Sequence, residues 1–363
     1  MIDPHVHFRD GEKERHKETV EHGISVAHRA GLDAAFDQSN TNPPLTTKER
    51  VAERLELGQR AIDKLGSDFF YGVYGGVQEV DGKLDERQIY SMLEMYFCQD
   101  SLLGVMGRMV GIKLFAGHST NNLGVVREEN QKMFYKTLAD SGYKGVAAVH
   151  CEKERHINGD VFEPIDPYSH TVARSPIAEL MSVEDQINFA AEAGFKGVLH
   201  ICHVSVPQSL DYIEHARNLI DFRITCGITP HHAMLYDYLM QNPEGLLLKM
   251  NPPLRTREMQ EIMLGALLAG RIDWIETDHA PHIKAEKIGK PYASGIPGLP
   301  FYPHFIQMLR SRGMSDEMLA DVTHNNIMNA FELDVPLPDT KRYSGVDYNL
   351  AGEYQFDAFA KLK

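Results

Sequence analysis

Two histidines separated by one residue, His5-Val6-His7, stand near the start of the chain. Side chains on a strand alternate with period two, so both imidazoles lie on one side and suit a single divalent metal. Taken alone, the pair reads equally well as two surface histidines. Other residues of metal-binding type stand far away in the chain: Lys113 in GIKLFAGHSTNN, His150 in VAAVHCEKE, His203 in VLHICHVSVP and Asp278 in WIETDHAPH. Each ends a β-type run, and each has an ordinary reading: a lysine paired with a carboxylate, a strand-end histidine satisfied in a core, a turn aspartate. Their number favours the metal. Imidazoles and a carboxylate suit zinc and its neighbours, and a carboxylate at a metal also shuttles protons. A lysine whose pKa is depressed by nearby metal takes up CO2 and becomes a carbamate bridging two ions. His200 is the nearest competitor to His203, but its odd spacing is expected to put it on the opposite strand face.

These residues converge only if the elements that carry them end at one place. Eight candidate strands run from Ile2 to His7, Ala34 to Asp37, Phe69 to Gly75, Val110 to Phe115, Gly145 to His150, Gly197 to His203, Phe222 to Cys226 and Ile272 to Thr277. Helical patterns lie between them, at Lys48 to Lys64, Arg127 to Ser141, Pro176 to Ala193, Gln208 to Asn218 and Arg257 to Ala269. This alternation predicts βα units around a parallel sheet. Eight strands close a (β/α)8 TIM barrel, whose strand C-termini share one mouth where active sites are built. A doubly wound open sheet is the weaker reading, because His-Val-His stands where a glycine-rich phosphate fingerprint would follow the first strand. The expected organisation is a barrel over residues 1–332 and a short irregular C-terminal extension over 333–363, packed on it.

Composition narrows the function classes. With 363 residues, 43% hydrophobic and 24% charged, the chain has the profile of a globular protein rather than a disordered or fibrous one. Lys plus Arg number 37 against 51 Asp plus Glu, a net charge of −14, which argues against nucleic acid or an anionic membrane as the main partner. A buried arginine still suffices for a small anionic substrate. No stretch approaches the roughly 18 apolar residues of a membrane span, and MIDPHVHFRD is not a secretory signal, so a cytoplasmic protein is expected. Cys98, Cys151, Cys202 and Cys226 are scattered without a CxxC, which supports neither a disulfide framework nor a zinc ribbon. The plain readings of other features are core packing for Trp274, support of the mouth or a helix start for His231-His232, and a solvated helix face for KERHK at 13–17.

Assembled, these motifs resemble the dihydroorotases of the amidohydrolase superfamily, metal-dependent (β/α)8 hydrolases. The resemblance rests on DPHVHFRDGE, SNTNPPLTT, KLFAGHSTNN, HCE, CHVS, KMNPPLR and TDHAPH, and spans roughly residues 2–310. It implies a binuclear zinc site, with His5, His7 and Asp278 on one ion, His150 and His203 on the other, and N6-carboxylated Lys113 bridging them. It implies Asp278 as the catalytic acid and base. It also implies substrate-carboxylate contacts at Arg9, Asn40 and His282, with Asn251 and the Gly295 backbone beside them, and a closing loop carrying Ser119 and Thr120. Three departures stand out. Many bacterial relatives have an aspartate in place of the bridging lysine, whereas this chain is similar to the group with lysine. Gln38-Ser39-Asn40 replaces the usual Met-Pro-Asn, so the loop carrying Asn40 is open to a different seat. The sequence starts at the first barrel strand, without the N-terminal part of the small β domain of many amidohydrolases.

The reaction so implied is the reversible cyclisation of N-carbamoyl-L-aspartate to L-dihydroorotate in de novo pyrimidine synthesis, with a homodimer as the default assembly. Hydantoinases and allantoinases share the ligand set, so the ligands alone do not discriminate. Arg9 and Asn40 do, since they address a carboxylate that a simple hydantoin lacks. A catalytically silent homologue serving another enzyme has no need of Lys113 or Asp278, and a metal-storage or sensor protein has no need of Arg9 or Asn40.

Overall fold

The computed structural model describes residues 1–102 (backbone only for 99–102), 108–118, 123–242, 244–333 and 345–362. In chain order its strands are β1 (Ile2–Val6), β2 (Ala34–Asp37), β3 (Phe70–Gly76), β4 (Glu79–Val80), β5 (Lys83–Leu84), β6 (Arg108–Phe115), β7 (Val146–His150), β8 (Val198–Ile201), β9 (Arg223–Ile228) and β10 (Trp274–Ile275). Eight of them form one sheet in the order β1-β2-β3-β6-β7-β8-β9-β10, with every neighbour parallel. Between β10 and β1 the sheet closes into a barrel by other means. Val6 bridges to His279, the His7 N–H donates to the His279 carbonyl at 2.7 Å, and the buried Asp3 carboxylate accepts the Thr277 N–H (3.0 Å) and hydroxyl (2.5 Å). Burial pushes Asp3 up to about 7, against the hydrogen bonds from Thr277.

The helices form where the sequence marks their ends. Thr47 caps Lys48–Leu65 by accepting the Arg50 N–H, and Gly66 ends it at φ +65°, a conformation glycine adopts without Cβ strain. Pro176 and Pro207 begin Pro176–Glu192 and Pro207–Arg217, where a missing N–H goes unnoticed. Their apolar faces join the outer core against the sheet. A second cluster fills the barrel: Ile2, Phe36, Tyr74, Val146, Ala148, Val198 and Trp274, with Phe331 of the helix Asn326–Phe331 packed edge-on against Phe36. Trp274 is thus interior packing, as expected.

Two local expectations need correction. The hairpin β4/β5 was not anticipated, although its Asp81-Gly82 turn, with φ of +51° and +72°, is the ordinary signature of a two-residue hairpin. Residues 13–17 are not a helix: the Gly11 carbonyl takes both the Glu14 and Arg15 N–H groups in a turn, and helix begins only at Val20. Glu14 is buried there and pairs with Lys17 at 3.2 Å. Near the C-terminus, Phe359 stacks on Phe301 at 4.1 Å, and the Tyr354 hydroxyl donates to Glu18 at 2.6 Å. Among the described residues, no helix is long and apolar enough to cross a membrane.

Candidate active site

Most of the expected ligands are aimed by interruptions of regular strand geometry. Only His150 follows plain alternation, above Val146 and Ala148 on the inner face of β7. β1 carries one residue more than β2 between the pairs Asp3–Ala35 and Val6–Asp37. β6 likewise carries one more than β3 between Val73–Met109 and Tyr74–Gly111. Such bulges re-aim the residues that follow. Val110 faces into the barrel while Ile112 and Leu114 join the outer core, so the extra residue is what turns Lys113 inward. His203 and Asp278 lie just beyond their strands with φ of +38° and +47°. This left-handed region costs a non-glycine residue roughly 1–2 kcal/mol. The kink at His203 also corrects the expected contrast with His200. Alternation no longer holds across it, and His200 points into the barrel, stacked on Trp274 at 4.3 Å.

One cleft at the mouth is lined by His5, His7, Arg9, Asn40, His150, His203, Asn251, Asp278 and Gly295. Its free volume is only about 40 Å³. A larger cavity of about 550 Å³ lies at the opposite end of the barrel, beside Asp33 and Asp68, and its lining includes none of the expected ligands. In the cleft, His7 Nε2 meets Asp278 Oδ1 at 2.8 Å and His5 Nε2 lies 3.4 Å from the same oxygen. One ligand atom from each of His5, His7 and Asp278 falls within 4.8 Å of the others. His150 Nδ1 and His203 Nε2 are 3.1 Å apart, and the His5 and His203 rings, 5.3 Å apart, join the two groups. Lys113 is fully buried just below, where its Nζ donates to Cys202 Sγ at 2.9 Å.

Supporting groups set these side chains. Asn40 Oδ1 accepts from His7 Nδ1 at 2.6 Å, which leaves Nε2 as the lone-pair nitrogen facing Asp278. Glu152 contacts His150 Nε2 at 2.9 Å and is itself gripped by Arg174 at 2.6 Å. Arg54 binds Asp37 and donates to the carbonyls of Phe8 and Asp10, so the backbone on both sides of Arg9 is fixed. Burial, with Arg9 and His5 adding to it, takes His7 down to about 3 against its bond to Asp278, so its imidazole is neutral. Burial alone would raise Asp278, but the neighbouring His7 and His5 hold it well below the usual carboxylate range. Neutral imidazole and ionised carboxylate are the forms that bind metal.

The orphaned atoms fit the same reading. His5 Nδ1, His203 Nδ1, Arg9 Nε and Nη1, and Asn251 Oδ1 are buried without a hydrogen-bond partner among the described residues. A buried guanidinium edge suits a planar anion, and the outer nitrogen of His5, Nε2 beside Asp278, suits a divalent ion. His282 is less open: its Nδ1 contacts Glu286 and its Nε2 the Ser294 carbonyl, each at 3.1 Å. Ser119 and Thr120 lie outside the described residues. The residues missed from sequence are Glu152, Arg54 and Glu276. Only Glu152 carried a signal, standing two positions after His150 in HCE.

No protein-family model matches the chain. A dihydroorotase of Halobacterium salinarum is 31% identical over 338 residues, covering 92% of this chain and 72% of that protein. One from Methanosarcina mazei is 28% identical over 350 residues, covering 92% and 70%. Among solved structures, L-hydantoinase of Arthrobacter aurescens matches with a TM-score of 0.75 at 21% identity, over 91% of this chain and 70% of its own. Dihydroorotase of Saccharomyces cerevisiae, in complex with 5-fluoroorotic acid, matches with a TM-score of 0.71 at 18% identity, over 92% and 84%. The structural likenesses bear out the (β/α)8 barrel fold, and the sequence likeness goes further: this chain belongs to the dihydroorotase family.

Proposed function

We infer that the chain is a metal-dependent dihydroorotase, interconverting L-dihydroorotate and N-carbamoyl-L-aspartate in pyrimidine biosynthesis. His5, His7 and Asp278 would hold one Zn2+, His150 and His203 would hold a second, and a carbamate on Lys113 would complete the set. Ions held there would lower the pKa of bound water and polarise an amide carbonyl. Asp278, ionised and within reach of both His5 and His7, takes the proton of the attacking water and delivers it to the ring nitrogen as the C–N bond breaks. In the reverse direction the same carboxylate removes a proton from the ureido nitrogen, and water leaves as the ring closes.

The observation that favours this over a hydantoinase-type reading is Arg9. Arg9 is 2% exposed, lines the cleft and has two guanidinium nitrogens without partners among the described residues. A buried cation with an open planar edge is matched by the substrate's carboxylate and left uncompensated by a plain hydantoin. Asn251, in the lining of the same cleft, is a further contact for the substrate. Asn40 orients His7 as well as facing the cleft, and His282 supports the Ser294–Gly295 turn unless it exchanges its present partners. The assignment is tested by Arg9→Met with L-dihydroorotate and hydantoin as parallel substrates. KM for dihydroorotate is expected to rise about 100-fold with metal content unchanged, and an unaltered KM removes Arg9 from the carboxylate site. The remaining proposals are a homodimer and a barrel unit at 1–332 with its extension at 333–363.

A further inference from the structure

Beneath the metal-type residues, the barrel interior holds a fully buried carboxylate, Glu276. Its Oε2 accepts from His200 Nε2 at 2.9 Å and from Trp274 Nε1 at 3.2 Å. Its Oε1 accepts the backbone N–H of His203 and stands 3.7 Å from His5 Nδ1, a buried atom with no hydrogen-bond partner among the described residues. His200 is itself fixed, stacked on Trp274 and bonded through Nδ1 to Thr225 at 3.1 Å. Room for the carboxylate is made by the neighbouring strand. A Cβ on Gly227 of β9 would lie 2.5 Å from the Glu276 Cδ and 2.7 and 2.8 Å from its oxygens.

A buried ionised carboxylate is a poor choice for stability alone, since a well-packed apolar side chain usually serves as well or better. Here it does two things that an apolar residue does not. β8 ends at Ile201, so the His203 N–H at the left-handed kink needs an acceptor, and Glu276 supplies it. The same oxygen faces the inner nitrogen of His5, whose outer nitrogen faces Asp278 at 3.4 Å. One carboxylate therefore touches a residue from each of the two ligand groups. Carboxylates behind a metal-binding histidine fix its tautomer and ring orientation.

We propose that Glu276 is a positioning residue that sets His5 and His203 from below, and that Gly227 is the space built for it. The proposal rests on the reading of His5 and His203 as metal ligands. Its test compares purified wild type with Glu276→Ala, Glu276→Gln, Gly227→Ala and the Gly227→Ala/Glu276→Ala double variant. The readouts are metal per chain, the rate of metal loss to excess dipicolinate, and kcat and KM for dihydroorotate. Loss of such a supporting group is expected to weaken metal retention about 10- to 100-fold. Glu276→Ala should lower kcat with KM nearly unchanged, and Glu276→Gln, which keeps one acceptor oxygen for the His203 N–H, should recover part of the loss. Gly227→Ala should mimic Glu276→Ala by displacing the carboxylate, and the double variant should be no worse than Glu276→Ala. Should Glu276→Ala fail to fold, Glu276→Gln and Gly227→Ala carry the same comparison. A wild type that holds metal beside variants that hold it equally well overturns the proposal alone. A wild type that holds none overturns the ligand reading and this proposal with it.

Discussion

The two ligand groups at the mouth are assembled on different principles. His5, His7 and Asp278 come from the first and last barrel strands and meet across the seam, drawn together by complementary chemistry: a carboxylate between two imidazoles, with Asn40 behind one of them. His150, His203 and Lys113 come from three neighbouring strands; their imidazoles meet each other, Lys113 meets the Cys202 sulfur, and the nearest carboxylate, Glu152, stands behind His150. The first group is complete in its own side chains. The second lacks an anionic donor of its own, which is what a carbamate on Lys113 would supply. Under the proposed function, proton transfer would fall to the first group, which also closes the seam, and dependence on a lysine carbamate to the second.

The largest effect that would break this contrast comes from Lys113→Ala. It is expected to lose metal and at least about 10³-fold in kcat, with partial rescue by small carboxylic acids that replace the carbamate oxygens. Full activity in that variant would show that the second group needs no added anion. Asp278→Asn should lose about 10²- to 10⁴-fold in kcat, the usual range for a general acid and base, and carboxylic acids should not rescue it. Asn40→Ala tests the first group's supporting contact: a fall in metal affinity of about 10-fold is expected as His7 loses its partner, and unchanged affinity limits Asn40 to the substrate.

The smallest effect concerns acid stability near the seam. Burial alone would raise Glu18, but His279, His22 and Tyr354 outweigh it and hold it down to about 2. An unfolded glutamate titrates near about 4.3. The folded value is the lower one, so its contribution to stability is complete above about pH 4.3 and disappears as pH falls through 2. Glu18→Gln should therefore lose on the order of 1–3 kcal/mol at pH 6, and its deficit against wild type should shrink between pH 4 and 2 in urea unfolding of the metal-free protein. A deficit constant with pH would mean that packing, not charge, sets the role of Glu18.

Strand positions were legible because buried parallel strands read as short apolar runs between helical patterns, and the ligand types at their ends stood out against that background. The aim of the side chains was not legible. The extra residues in β1 and β6 and the left-handed turns at His203 and Asp278 leave the local composition unchanged, yet they decide which residues face the cleft. Period-two counting therefore misplaced His200 while arriving at the right result for His5 and His7. Glu276 was hidden for a related reason: its partners His200, His203, Trp274 and Gly227 come from three strand regions and share no sequence pattern.

The most direct test of the account is hydrolysis of L-dihydroorotate, followed by loss of ultraviolet absorbance, with metal content measured on the same sample and hydantoin and allantoin run in parallel. The account predicts turnover of dihydroorotate, little or none of the other two, and close to two metal ions per chain. Metal with turnover of hydantoin instead of dihydroorotate would contradict the role of Arg9, and a protein with neither metal nor turnover would contradict the site itself.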